Sequence, residues 1–200
     1  MTPQLINSSC SVKFRRKRRA NVAWLILLSL IFSAGCSKDR QREPARPVTL
    51  PGGAQTFTGR VVRIADGDTI TVLDSMNTQH RIRLQGIDAP ESHQAYGNQS
   101  KQNLSAMIFD KDVTVIYEKI DQYGRIVGKI LLDGKDLNLE QVKAGLAWHY
   151  KEYEREQTPE DRELYARAEA EARDARRGLW QDPDPIEPSV FRREERQNGR

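Results

Sequence analysis

Two carboxylates and an arginine lie close together in the segment RLQGIDAPES, residues 83–92. Asp88 and Glu91 are three residues apart, and Arg83 lies five residues before Asp88. Oxygen ligands without His or Cys favour a hard cation such as Ca²⁺, and the planar fork of an arginine fits a phosphate. A loop with these residues is either solvated surface or a site for a cation and an anion, because loops on rigid scaffolds carry most binding and catalytic residues.

Two further segments carry similar residue types at strand ends or turns, namely DGDT, residues 66–69, and DQYGR, residues 121–125. Each motif alone is weak evidence, since Asp-Gly is chiefly a hairpin signal and Tyr-Gly-Arg is compatible with a plain turn. If the three strand ends converge, one site contains five charged side chains: Asp68, Arg83, Asp88, Glu91 and Arg125.

This set of side chains is suited to phosphodiester hydrolysis. Two carboxylates, from Asp68 and Asp88, would bind a cation and leave positions for water and substrate oxygen. The proline at position 90 biases Ala89 towards an extended backbone, which could turn the Ala89 carbonyl to the metal. Glu91 can orient or deprotonate a water, while two arginines hold the phosphate. The combination therefore indicates metal-assisted cleavage.

The elements that must position these residues are short strands and a few helices. Alternating Val, Ile and Thr residues predict strands over 56–64, 68–73, 80–87, 112–120 and 125–133. Apolar spacing and capping residues predict helices over 98–110, over 136–147, and from Thr158 to a stop at Gly178. Five short strands around an inserted helix predict a mainly β fold with α (α+β), an OB-fold five-stranded Greek-key barrel with about three helices.

The same motifs resemble the staphylococcal nuclease (thermonuclease) family over about residues 56–180. The matching residues are DGDT at 66–69, Arg83-Leu84, IDAPE at 87–91, DQYGR at 121–125, Gly145-Leu146-Ala147 and Gly178-Leu179-Trp180. The resemblance implies an OB-fold barrel and Ca²⁺-dependent endonuclease cleavage of DNA and RNA that leaves 3′-phosphate and 5′-hydroxyl ends. Single-stranded or unstacked substrate and a monomeric enzyme are the accompanying expectations.

The resemblance also implies roles for individual residues. Metal ligands are expected at Asp68, Asp88 and the carbonyl of Ala89, where the family frequently has Thr. Catalytic roles carry over to Arg83, Glu91 and Arg125. Three tyrosines are the candidates for contact with the nucleotide: Tyr123, Tyr150 and Tyr153.

The first 36 residues resemble a bacterial lipoprotein signal. A basic cluster precedes the apolar run Val22–Phe32, which is too short for a membrane-spanning helix, and Ser33-Ala34-Gly35-Cys36 follows. The resemblance implies removal of residues 1–35, lipid on Cys36, and anchoring to the bacterial cell envelope, at the outer membrane where one exists. An uncleaved anchor or an ordinary secretory signal is the alternative. Residues 36–55 then predict a flexible tether, and residues 181–200, with three Pro and many charges, predict a disordered tail.

Net charge does not identify a partner for this chain. The formal charge of the full sequence is +4, but six of its 32 basic residues lie in the predicted signal. The remainder has 26 basic and 28 acidic residues, a net charge of −2. Attraction to a nucleic acid must therefore be local. The two cysteines, Cys10 and Cys36, leave no thiol for catalysis in the mature chain.

Two other functions compete with a nuclease. One is a non-catalytic OB-fold module that binds nucleic acid or protein, since barrels of this kind often bind without chemistry. The other is an envelope protein whose helical C-terminal part binds a partner. The carboxylates favour the enzyme, because Asp68, Asp88 and Glu91 would repel a phosphate unless a metal lies between them.

Overall fold

The computed structural model describes residues 48–49 and 53–199, and all structural statements concern this part of the chain. Its strands are β1 (Val48–Thr49), β2 (Gln55–Ile64), β3 (Thr69–Asp74), β4 (Gln79–Leu84), β5 (Ile87–Asp88), β6 (Asp112–Ile120), β7 (Ile126–Leu132), β8 (Lys135–Asp136) and β9 (Trp148–His149). Its α-helices are α1 (Gly97–Ile108), α2 (Leu137–Lys143), α3 (Pro159–Asp174) and α4 (Pro188–Asn198). Short 3₁₀ segments span Lys151–Glu156 and Gly178–Gln181.

Five strands close into a barrel. The order is β2-β3-β4-β7-β6, and β6 pairs back with β2. The β4–β7 pairing is parallel, whereas the other pairings around the barrel are antiparallel. This mixed five-stranded barrel with several helices confirms the predicted OB-fold.

Side-chain alternation explains how the strands form the barrel. In β2, the buried Phe57, Gly59 and Val61 alternate with the exposed Thr58 and Arg60. A register shift between Val61 and Arg63 changes the phase, so that Ile64 is buried as well. Their core neighbours include Ile70 and Ile82 from the next two strands. Helix α1 packs on the same core through two fully buried residues, Leu104 and Ile108. The buried strands thus provide a rigid base for the loops at their ends.

Helix ends follow the capping chemistry of the sequence. The Thr158 side chain accepts a hydrogen bond from the Asp161 N–H, and Pro159 occupies the first turn of α3, as predicted. The Asp136 side chain caps α2 in the same way by accepting from the Leu139 N–H at 3.1 Å. Helix α2 ends at Lys143, close to the predicted end near Gly145, where the chain turns at φ 67°.

The structure differs from the sequence predictions at two places outside the barrel. Helix α4 occupies residues 188–198, within the segment predicted to be disordered. The many charges and three prolines of residues 181–200 favoured the prediction of disorder. Strand β1 pairs with β2 inside the predicted tether. The predicted signal, including Cys36, lies outside the described residues. No helix in 48–49 or 53–199 is long and apolar enough to cross a membrane.

Candidate active site

Arg83 joins the two predicted metal-binding carboxylates. Its Nη1 lies 3.0 Å from Asp68 Oδ2, and its Nη2 donates to Asp88 Oδ1 at 2.8 Å. The antiparallel register explains this, since Thr69, next to Asp68, is paired with Arg83 across β3 and β4. The tight turn at Gly86, where φ is 75°, then brings the chain back so that Asp88 reaches the same guanidinium.

Asp68 carries a charge that its surroundings only partly compensate. Its Oδ1 accepts from the Thr69 hydroxyl at 3.0 Å, and its Oδ2 accepts from the Ala89 N–H at 2.8 Å. Burial raises the pKa of Asp68 to about 7, assisted by the nearby carboxylates of Asp66 and Asp88 and opposed by Arg83. A buried site with excess negative charge and oxygen ligands is what a hard cation requires.

The loop before Asp68 is fixed by close packing and by one buried amide. A β-carbon at Gly67 would lie 1.8 Å from Ser100 Oγ and 2.8 Å from the β-carbon of Ala89, so only glycine fits without displacement. Gln141 Nε2 donates to the Gly67 carbonyl at 2.8 Å and to the Ser100 carbonyl at 3.1 Å. Sequence reasoning missed Gln141, although its position four residues after Leu137 on the buried face of a helix was an available signal.

Glu91 lies at the rim of the site with its side chain 31% exposed. Its N–H donates to Gln94 Oε1 at 3.1 Å. Its carbonyl oxygen rests against the first residue of α1, since a β-carbon at Gly97 would lie 1.9 Å from that oxygen. The position of Glu91 is therefore set by its own loop and by the start of α1.

Arg192 of helix α4 enters the same site, and sequence reasoning missed it as well. Its Nη2 lies 2.9 Å from Asp88 Oδ2, and its Nη1 lies 2.8 Å from Glu91 Oε1 and 3.2 Å from Asp88 Oδ1. Burial acts to lower the pKa of Arg192, but the hydrogen bonds to the two carboxylates outweigh it and raise the pKa. No local sequence signal points to this contact, because 104 residues separate Arg192 from Asp88.

Arg125 is close to this group but is not in contact with it. Arg83 pairs with Val127 in the parallel β4–β7 ladder, so Arg125 lies on the same face of the sheet, roughly 7 Å along the strand. Among the described residues, its side-chain polar contact is with Asp121, at 2.7 Å. The guanidinium lies 5.5 Å from the ring centroid of Tyr123, whose residue is 73% exposed. The structure thus brings together Asp68, Arg83, Asp88 and Glu91, with Arg125 beside them.

Two of the predicted nucleotide-contacting tyrosines pack against each other near the site. The ring centroids of Tyr150 and Tyr153 are 4.9 Å apart, and the Tyr150 N–H donates to the Gly86 carbonyl at 2.9 Å. Burial raises the pKa of Tyr150 to about 12, with a further contribution from the charge of Asp88. The phenol is therefore protonated at neutral pH and able to donate a hydrogen bond.

The predicted ligands are oxygen donors, the type that a hard cation such as Ca²⁺ prefers. Within residues 48–49 and 53–199, no group of three His, Cys, Asp or Glu side chains is arranged to hold a metal. The predicted ligands are instead two carboxylates, from Asp68 and Asp88, and one main-chain carbonyl, from Ala89. Water and substrate oxygens must complete the coordination, as is common at catalytic calcium sites.

Comparison with known proteins identifies the family of this chain. The family model described as staphylococcal nuclease homologue matches residues 81–182. An "Uncharacterized endonuclease" of Haemophilus influenzae is 36% identical over 181 residues, covering 90% of this chain and 89% of the relative. An "Uncharacterized endonuclease" of Escherichia coli is 44% identical over 135 residues, covering 67% of this chain and 84% of the relative. A protein named "Micrococcal nuclease" from Shigella flexneri is 41% identical over 155 residues, covering 73% of this chain and 86% of the relative. The chain described here belongs to the staphylococcal nuclease homologue family.

Proposed function

We propose that this protein is a calcium-dependent endonuclease that hydrolyses phosphodiester bonds of DNA and RNA and leaves 3′-phosphate ends. The observation that carries the proposal is the pair of buried carboxylates, Asp68 and Asp88, joined by Arg83 with Glu91 three residues further on. The names of the relatives support the reaction class. The enzyme is proposed to act as a monomer.

Asp68, Asp88 and the Ala89 carbonyl would hold the calcium ion. When bound, the ion supplies a positive charge that polarises the phosphate and offsets the charge developing on it. The chain itself holds the ligands in place: Thr69 and the Ala89 N–H orient the Asp68 carboxylate. Gly67 and Gln141 fix the loop that leads to it.

Glu91 is proposed to orient the attacking water and accept its proton. Its partly exposed side chain has access to solvent, while its backbone is fixed by Gln94 and Gly97. Arg83 lies between the two carboxylates and would donate to a phosphate oxygen beside them. Arg125, on the same face, would exchange its contact with Asp121 for a second phosphate oxygen.

Tyrosines around this site are proposed to hold the nucleotide. Tyr150 would donate its hydroxyl to phosphate, and the partly exposed ring of Tyr153 would stack on a base, while the exposed Tyr123 beside Arg125 offers a further stacking surface. Stacking requires a base that is free on one face, so single-stranded or unstacked regions are the expected substrate.

The proposal is tested by incubating the protein with single-stranded DNA and with RNA, first with Ca²⁺ and then with a chelator. Cleavage should require Ca²⁺ and return when it is restored. Glu91→Gln should reduce the rate by about 10²–10⁴-fold, the usual contribution of a general base, while circular dichroism shows an intact fold. Glu160→Gln, an exposed position in the first turn of α3, is the matched control and should cleave normally.

Two results would contradict the proposal. Cleavage by Glu91→Gln at the control rate would remove that residue from the mechanism. Binding of DNA by a folded protein without any cleavage would favour the non-catalytic module. The product ends are checked separately, because phosphatase treatment should shift the mobility of a 5′-labelled product if it ends in a 3′-phosphate.

We also propose that the protein is a lipoprotein of the bacterial cell envelope, with the mature chain beginning at Cys36. The support is the sequence of residues 1–36, in which a basic cluster, a short apolar run and Ser-Ala-Gly-Cys follow one another. Mass spectrometry of the N-terminal peptide from membranes should find a lipidated Cys36, and Cys36→Ser should lack the modification. An unmodified Cys36 in the membrane fraction would contradict this assignment.

A further inference from the structure

Helix α4 lies over the catalytic group and places a guanidinium on two of its carboxylates. Arg192 contacts both oxygens of Asp88, at 3.2 Å and 2.9 Å, and Glu91 Oε1 at 2.8 Å. Arg83 Nη2 takes the same Asp88 Oδ1 at 2.8 Å. Both carboxylate oxygens of Asp88 are therefore in contact with an arginine.

These contacts conflict with the two roles proposed for the carboxylates, calcium binding by Asp88 and orientation of the attacking water by Glu91. Calcium binds carboxylate oxygens at about 2.3–2.6 Å, so an ion on Asp88 Oδ2 would lie next to the Arg192 nitrogen that now occupies this oxygen. Two positive groups at that separation repel each other strongly in a partly buried site. Arg192 Nη1 also occupies Glu91 Oε1, an oxygen that an attacking water would have to reach.

The docking of α4 is polar and shallow. Among its residues only Pro188 is buried, and the Arg192 side chain is 31% exposed. Its other attachments lie in the loop that follows Glu91: His93 Nε2 is 2.5 Å from Glu195 Oε1, and the His93 and Phe191 rings are 5.2 Å apart. The side chains of His93 and Glu195 are 62% and 46% exposed, and polar contacts as exposed as this one contribute little stability. The helix is therefore held in a way that a competing cation can reverse.

We infer that α4 is an intramolecular inhibitor of the site, in which Arg192 occupies the oxygens that the calcium ion and the attacking water require. The inference rests on the proposed function, because it concerns the same carboxylates. Calcium binding and α4 docking then oppose each other, and by linkage each weakens the other by the same factor. The helix lies beyond residues 81–182, the part of the chain that the family model matches.

The test measures calcium binding by calorimetry on the full chain, without nucleic acid. If α4 is released in about a tenth of the wild-type molecules, only that tenth can bind Ca²⁺, and the apparent affinity is about tenfold weaker than that of the open site. Arg192→Ala removes the inhibitory contact and should therefore bind Ca²⁺ about tenfold more tightly than the wild type. Arg193→Ala removes the same charge from an exposed neighbour on the same helix and should bind like the wild type. His93→Ala, which loosens α4 without touching the carboxylates, should also tighten binding.

Each outcome has a separate meaning. Equal affinities for wild type and Arg192→Ala would overturn the inhibitory role while leaving a calcium enzyme. Weaker binding by Arg192→Ala would also overturn it, because Arg192 would then support the site. No calcium binding by any variant would remove the calcium site, and with it the proposed function as well as this inference.

Limited digestion with trypsin gives an independent readout. Arg193 and Arg196 are exposed but lie within a helix, and trypsin cuts only a locally unfolded segment. Release of α4 allows this local unfolding, so Ca²⁺ should accelerate cleavage within α4 of the wild type. Arg192→Ala should be cut rapidly at these positions with or without Ca²⁺. A wild type that binds Ca²⁺ with no change in the cleavage rate of α4 would contradict the inference, because the helix would then remain docked on the loaded site.

Discussion

Replacing Gln141 by Met isolates the contribution of one buried amide to the position of Asp68. Gln141 is fully buried, and methionine keeps its length while removing both polar atoms. The substitution deprives the Gly67 carbonyl of its donor at 2.8 Å and Asn103 Nδ2 of its acceptor at 2.5 Å. Ser100 loses the bond to its carbonyl at 3.1 Å, but that carbonyl lies inside α1 and can accept within the helix.

The size of the effect follows from these three losses. The buried Gly67 carbonyl, left without its Gln141 donor, costs about 1–3 kcal/mol, and each of the other contacts contributes at most about 1 kcal/mol because a helical bond or water can replace it. The free energy of unfolding should fall by about 1–5 kcal/mol. Domains of this size are stable by about 5–15 kcal/mol, so the fold should survive. Calcium affinity should also fall, because Gly67 directly precedes Asp68.

The assay is urea denaturation of the calcium-free protein together with calorimetric calcium titration. The matched control is Lys143→Met on the same helix, where a side chain that is 46% exposed pairs with Glu140. This control should change the free energy of unfolding by no more than about 0.5 kcal/mol. A Gln141→Met protein as stable as the control would refute the assigned role of the amide. Reduced stability with unchanged calcium affinity would refute its role in positioning Asp68.

Three further predictions follow from single contacts. Gly97→Ala should lower the cleavage rate in a kinetic assay while circular dichroism remains native, because the new β-carbon must displace the Glu91 carbonyl; an unchanged rate would contradict the packing described for this loop. Tyr153→Ala should raise KM for single-stranded DNA with little change in kcat, since a stacking surface contributes to binding; a loss in kcat alone would oppose this role. Burial acts to raise the pKa of Asp121, but hydrogen bonds from Arg125 and Tyr123 outweigh it and lower the pKa. Asp121 thus stabilises the fold above its ordinary pKa of 3.8, and this stability is lost as the pH falls through the lowered value. When the free energy of unfolding is measured at falling pH, Asp121→Asn should lack the part of the decline that comes from this carboxylate. The same decline at acid pH in the variant and the wild type would argue against this role of Asp121.

The sequence was sufficient for the barrel and for the part of the site that lies on adjacent strands. Alternation in β3 and β4 places Asp68 next to Arg83, and a tight turn at Gly86 returns Asp88 to the same guanidinium. These relations are local, since a hairpin and a glycine turn determine them. The sequence alone could therefore predict that Asp68, Arg83 and Asp88 belong to one site.

Contacts between distant parts of the chain were not predictable from the sequence. Gln141 reaches a carbonyl 74 residues away, and Arg192 reaches a carboxylate 104 residues away. Contacts between residues so far apart along the chain leave no periodic pattern in the sequence. Helix α4 has few apolar residues and its contacts are mainly charged, so its composition indicates disorder although the structure docks it on the site. Arg125 was grouped with the catalytic set from its motif, whereas its side chain contacts Asp121 in the structure.

The most direct test of the central claim is the calcium dependence of single-stranded DNA cleavage by the wild type and by Asp88→Asn. The neutral amide keeps the shape of the side chain but removes one of the two carboxylate charges proposed to hold the ion. The account predicts cleavage that is absent in chelator, saturates with calcium in the wild type, and requires much higher calcium in the variant. Equal calcium midpoints for the two proteins, or cleavage that persists in chelator, would contradict the assignment of this carboxylate pair as the metal site.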